Sequence, residues 1–246
     1  MQIVSCHDGK LLKVDANDLA SAGAGASFST GLEAIDGLLA GKKLSRGVIH
    51  EVLWEGKNPR PLFFSAWLAL CASNQSSRII WSDPRNEIYP PALAGLGISL
   101  DQVFLLRPKT PDEELWALAE CMGCKGVAVT LAQPPVLTRI VARRLQLAAE
   151  RGGGIGILMR QRGAGSVHHA AATRWLVEPA RGERTVQRWK IQLIHGHGGL
   201  LHQPVYLEYS RDRNEKNRVR AIEQLACRSD EEKSGARADA LRKRSG

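Results

Sequence analysis

Apolar residues in this chain fall into short runs separated by longer amphipathic stretches. "GVIHEVLW" (47–54), "RIIWSD" (78–83), "QVFLLRP" (102–108), "GVAVTLA" (126–132) and "GIGILMR" (154–160) are nearly continuous apolar runs bounded by polar or glycine-containing turns. Such runs read as strands buried on both faces. A helical pattern follows each of the first four. "RPLFFSAWLALCAS" follows the first; "EIYPPALAGLG" follows the second, with Pro90 and Pro91 confining it to a short helix or to its first turn. "TPDEELWALAECMG" opens with a threonine cap, a proline and three acids beside the positive helix end. "PPVLTRIVARRLQLAAERGGG" runs into a glycine stop. Strand and helix in turn predict an α/β fold, with a mainly parallel sheet and helices on both faces. "TRWLVEP", "VQRWKIQLIH" and "QPVYLEYS" instead alternate apolar and polar residues, which predicts antiparallel strands added at the sheet edge.

The two ends of the chain differ from this middle. Residues 1–28 read as an N-terminal extension, with the small-residue segment "SAGAGAS" as a flexible linker. Residues 29–209 form the predicted core. Residues 210–246 hold eleven Arg and Lys against seven Asp and Glu and few apolar residues, so they read as a basic, mobile tail. Within it "VRAIEQLA" has the pattern of a short docking helix.

Composition narrows the function classes. With 43% hydrophobic residues the chain can bury a core, yet it has no apolar run long enough to span a membrane. The start carries no secretory pattern. Five irregularly spaced cysteines argue against a disulfide framework, and a cytoplasmic setting is expected. The formal net charge of +9 suits an acidic partner, nucleic acid being the simplest.

"FSTGLEAIDGLLAGKKLSRGVIHEVLWEG" resembles the entry into the RecA recombinase core, with Ser29, Thr30, Gly31, Ile35 and Asp36 holding its Ser-Thr-Gly to Asp pattern. "LGISLDQVFLLRP" followed by "ELWALAE" resembles more specifically the ImuA family, RecA-like accessories of damage-induced mutagenesis. The resemblance spans about residues 28–178 and implies a RecA-like core. It also implies partners: an ImuB-type polymerase-like protein, through it a C-family error-prone DNA polymerase, and RecA. The division inhibitor SulA is also similar in outline.

A phosphate loop requires glycines, inward N–H groups, a lysine for the outer phosphates and a hydroxyl for Mg²⁺. Laid on the RecA pattern, Trp54 takes the place of the first glycine, Pro59 the second, Arg60 the lysine and Pro61 the hydroxyl. Proline removes a donor and fixes φ. Gly56 and Lys57 complete this degenerate segment; Lys57 is a cation with no forced position. Thr130 and Gln133 stand where the fourth strand would supply a metal-holding acid. Arg85 takes the slot of the water-activating glutamate, with Asp83 beside it as a cap or turn residue. Gln161 occupies the place of a phosphate-sensing glutamine. The expectation is a pseudo-ATPase with no catalytic residues, no cofactor and no metal site.

The RecA DNA loops are also curtailed. "TLAQPPVLTR" enters its helix almost directly, and "RQRGAGS" keeps only Arg160 and Arg162, which are candidate phosphate contacts or part of a solvated turn. Direct DNA contact therefore stays open. Arg139 and Arg143 share a helix face, either solvated or touching a partner. Cys121 and Cys124 form a lone CxxC and His168 and His169 an adjacent pair; packing is the expected role of the cysteines. Trp67 and Trp116 are expected in the core, and Trp54 filling the vacated nucleotide space. By the resemblance, partner docking falls in the tail, where Arg211, Arg213, Arg218, Arg220 and Leu225 are the candidates. The expected function is a non-catalytic adaptor in SOS translesion synthesis, associated with the nucleoid after damage. A SulA-like division inhibitor and an ATP-dependent DNA-binding protein are the alternatives.

Overall fold

The computed structural model describes residues 2–4, 26–74, 76–134, 137–163, 171–181, 186–196, 203–210 and 218–222. In chain order the early elements are β1 (Gln2–Val4), β2 (Ser27–Phe28), α1 (Glu33–Asp36), β3 (Leu44–Ser45) and β4 (Val48–Trp54). Then come α2 (Leu62–Ala72), β5 (Arg78–Ser82), α3 (Pro90–Leu96), β6 (Val103–Leu106), α4 (Pro111–Met122) and β7 (Val127–Ala132). The chain continues with α5 (Arg139–Gly152), β8 (Ile155–Gln161), β9 (Ala171–Ala180), β10 (Val186–His195), β11 (Val205–Ser210) and β12 (Arg218–Ile222).

Ten strands form one sheet in the order β1-β6-β5-β7-β8-β4-β9-β10-β11-β12. Pairing is parallel from β1 through β9 and antiparallel from β9 through β12. β2 and β3 pair separately. The five apolar runs are β4 to β8, as their patterns predict. Three edge features differ from the sequence reading. "TRWLVEP" lies in β9, which runs parallel to β4 and is antiparallel only to β10. The stretch read as a docking helix is β12 through Ile222, paired with β11. Gln2–Val4, read as part of an extension, pairs with β6.

The sheet buries apolar side chains on both faces with the period of two that a pleat imposes. Val52, Trp54, Ile157 and Met159 pack with α2 and α3 on one side, whereas Ile49 and Leu158 pack with α4 and α5 on the other. α2 is apolar almost all round and is buried accordingly, from Phe64 to Ala69. Trp67 is in this core as expected, but Trp116 is exposed: it lies on the solvent side of α4. α3 starts on Pro90 and Pro91 and stops at Gly97, whose φ of 102° is left-handed. Thr110 caps α4 by accepting from the Glu113 N–H, while the Lys109 N–H donates to Glu113 Oε2. α5 ends where a Cβ on Gly152 would lie 2.0 Å from the Met122 carbonyl oxygen, so the α4–α5 contact requires glycine there.

The Ser-Thr-Gly to Asp pattern is a hydrogen-bonded knot. The Ser29 hydroxyl, the Thr30 N–H and the Thr30 hydroxyl all donate to the Asp36 carboxylate, which is nearly buried. Three donors on one carboxylate fix the entry into β4.

Candidate functional site

A cleft of about 580 Å³ opens at the carboxyl ends of the parallel strands. This is where ligands of open α/β sheets bind, because the strand-to-helix loops diverge there. Its walls include Trp54 from β4, Arg60 and Leu62 at the start of α2, Ser82 at the end of β5 with Asp83 to Arg85 after it, Gln133 after β7 and Arg160 on β8.

The segment after β4 is strapped to the end of β8. The Gln161 side-chain amide donates to the Gly56 carbonyl at 2.8 Å, and the Arg162 N–H donates to the Trp54 carbonyl at 2.7 Å. The Arg162 guanidinium pairs with Glu55 at 2.6 Å. Both of these groups are exposed, so this pair adds little stability. Gly56 takes a φ of 55°, a left-handed turn that glycine permits. Lys57 and Pro59 are exposed, Pro61 is buried at the start of α2, and Trp54 is buried in the core while lining the cleft.

Arg60, Arg85 and Gln133, far apart in sequence, meet at one point. Arg60 Nη1 and Arg85 Nη2 each lie 3.1 Å from Gln133 Oε1 and donate to it. Both guanidiniums also pair with Glu87, at 2.6 Å and 3.1 Å. The hydrogen bond from Arg60, seconded by Arg85, holds the Glu87 carboxyl below the usual carboxylate range. The result is a knot of two cations, one amide and one carboxylate. Asp83 is a turn residue: its carboxylate accepts from the Glu87 and Ile88 N–H groups at 2.8 and 3.2 Å. Thr130 is buried in β7, and its hydroxyl has no hydrogen-bond partner among the described residues.

Besides Glu87, two acids in or beside the cleft were not singled out in the sequence. Glu114 on α4 accepts from the Ser82 hydroxyl at 2.6 Å, and burial raises its pKa against the pull of that bond. Glu51 on β4 is fully buried and accepts from Arg160 at 3.0 Å and Arg174 at 2.8 Å. A carboxylate inside the apolar run "VIHEVLW" was the available signal, because such a group requires an internal partner. Arg160 and Arg162, the candidate phosphate contacts, therefore each carry an intramolecular carboxylate partner.

The other candidates lie apart from the cleft. Cys121 is buried beside Ile80, Leu106, Ala117 and Val127, with Cys124 packed against the same cluster. Among the described residues, no three His, Cys, Asp or Glu side chains gather as a metal site. No described helix is long and apolar enough to cross a membrane. Arg220 on β12 pairs with Glu208 at 2.8 Å. Arg218 is in the same strand. Arg211, Arg213, Leu225, His168 and His169 lie outside the described residues.

Comparison with known proteins gives two kinds of relative. Protein ImuA of Caulobacter vibrioides is 26% identical over 193 residues, spanning 70% of this chain and 79% of its own. The chain is similar to ImuA. The family resemblance read from "LGISLDQVFLLRP" and "ELWALAE" thus holds along most of the ImuA chain. The cell division inhibitor SulA of Serratia marcescens is 26% identical over 128 residues, covering 52% of this chain and 76% of its own. SulA of Photorhabdus laumondii is 24% identical over 126 residues, covering 51% and 65%. No family model matches the chain.

Proposed function

We propose that the chain is a non-catalytic adaptor in damage-induced translesion DNA synthesis. It docks an ImuB-type polymerase-like protein, through it a C-family error-prone DNA polymerase, and RecA. The likeness to ImuA supports the pathway. The observation that carries the absence of turnover is the meeting of Arg60, Arg85 and Gln133. Three positions that the RecA resemblance assigns to a lysine, a glutamate and a metal-holding acid do converge in space, but as two arginines sharing an amide oxygen. At those three positions stands neither the base nor the metal-holding acid that phosphoryl transfer uses. The cations there are already engaged by Glu87 and Gln133.

The adaptor is tested by co-purification with the ImuB-type partner, using the full chain and a chain lacking residues 223–246. The deletion spares β12, because Glu208 would otherwise lose Arg220. Capture that falls at least about tenfold, with an unchanged melting temperature, supports docking through the tail. Unchanged capture moves docking onto residues 1–222, and no capture by the full chain removes the adaptor reading.

The SulA relatives favour a second reading, inhibition of cell division. Overproduction that filaments cells lacking the polymerase partners supports it. Undivided cells that appear only when those partners are present count against it.

A further inference from the structure

We infer that the outer stripe of α5 is a docking surface for an acidic amphipathic helix of a partner protein. α5 turns Ala142, Leu145, Ala148, Ala149 and Gly152 inward. At 100° per residue the opposite face carries Ile140 and Leu147, seven residues apart and so on one line. Ile140 is 82% exposed and Leu147 47%. Only four large hydrophobic side chains stand exposed among the described residues, and two of them share this line. A single exposed apolar residue is ordinary, but a pair at two-turn spacing on the solvent face gives an apolar line along which a second helix can pack.

The charges around the pair choose the partner. α5 holds four arginines, Arg139, Arg143, Arg144 and Arg151, against one glutamate, Glu150. Arg143 donates to Gln146, and Glu150 lies 4.0 Å away, so that flank is only partly neutralised. Arg139 and Arg144 have no ion-pair partner among the described residues. Arginines flanking an apolar line complement a helix with an apolar face and acidic borders. A DNA backbone would use the arginines but has no use for Ile140 and Leu147 between them. The inference concerns the core, so it is separable from docking through the tail.

The test uses the full chain and fluorescence anisotropy with three probes. One is a designed helical peptide of about 20 residues with leucine on one face and glutamate elsewhere; its twin carries lysine for glutamate; the third is a short DNA duplex. The acidic peptide is expected to bind saturably, at least about tenfold more tightly than its lysine twin. The double substitution Ile140→Ser with Leu147→Ser is expected to weaken that binding about tenfold without changing the melting temperature, since both side chains are exposed. Three results would overturn the inference: no saturation by the acidic peptide, equal binding of the twins, or binding indifferent to the serine substitutions. Tighter binding of the duplex, lost in Arg139→Ala with Arg144→Ala while the peptide is unaffected, would assign the face to nucleic acid instead.

Discussion

Two carboxylates in this sheet each hold a pair of arginines, and the two trios sit at different depths. Glu51, on β4 in the parallel half, is gripped by Arg160 from β8 and Arg174 from β9, whose side chains are 11% and 25% exposed. Glu208, on β11 in the antiparallel half, is gripped by Arg188 from β10 and Arg220 from β12, at 17% and 67%. Both are cross-strand devices. Arg174 is in register with Glu51, while Arg188 and Arg220 flank Glu208 directly. The difference is the cost of breaking each. A buried charge that loses its counter-ion is strongly destabilising, whereas an exposed arginine re-enters water. The inner trio therefore ties β4 to β8 and β9 beside the cleft, which Arg160 lines, and the outer one fastens an edge strand.

Breaking the inner trio tests this most severely. Glu51→Ala leaves the largely buried Arg160 and the partly buried Arg174 unpaired and is expected to cost about 3–5 kcal/mol in urea denaturation. A loss below about 1 kcal/mol would mean that the inner trio is no deeper in effect than a surface pair.

His50, next to Glu51, sharpens the same half. Its Nδ1 lies 2.7 Å from the Thr173 hydroxyl, and its Nε2 lies 3.0 Å from the Ser45 carbonyl, to which it donates when the ring is neutral. Burial, opposed by the Ser45 bond, lowers its pKa from 6.5 to about 4. The folded state thus prefers the neutral ring. Its contribution is fully present above pH 6.5 and is lost as pH falls through 4, by on the order of 3 kcal/mol. Denaturation curves between pH 7.5 and pH 4, compared with His50→Gln, are expected to show this slope only in the parent chain.

The outer trio should yield less. Glu208→Ala is expected to cost about 1–3 kcal/mol, and Arg220→Ala less than about 1 kcal/mol, because its guanidinium is largely exposed. A double-mutant cycle on the pair measures their coupling directly. Coupling as large as the Glu51–Arg160 pair gives would erase the distinction between the halves.

The same contrast explains what could be read from the sequence. β4 to β8 are legible because strands buried on both faces must be continuous apolar runs. α3 to α5 are legible because proline, threonine and glycine mark their ends. β12 is not legible: "RVRAI" is charged and short, and it becomes a strand beside β11, where Glu208 meets Arg220. β1 has three residues, too few for a periodic signal, and pairs only because the β6 edge is there. Trp116 has helical spacing to apolar neighbours, but a single turn does not tell which side of α4 meets the sheet. In the cleft, the alignment with RecA brought Arg60, Arg85 and Gln133 forward, and they do meet. It gave no sign of Glu87 or Glu114, which belong to no borrowed motif. Arg160 and Arg220 looked like contacts for outside partners because their carboxylates lie 109 and 12 residues away.

The adaptor we propose rests on a cleft with no grip on a triphosphate. Isothermal titration of the full chain with ATP and Mg²⁺ tests it most directly. A scaffold without a phosphate cradle gives no saturable heat up to about millimolar nucleotide, whereas Mg²⁺-dependent binding near a micromolar Kd would contradict the claim and return the chain to the ATPases.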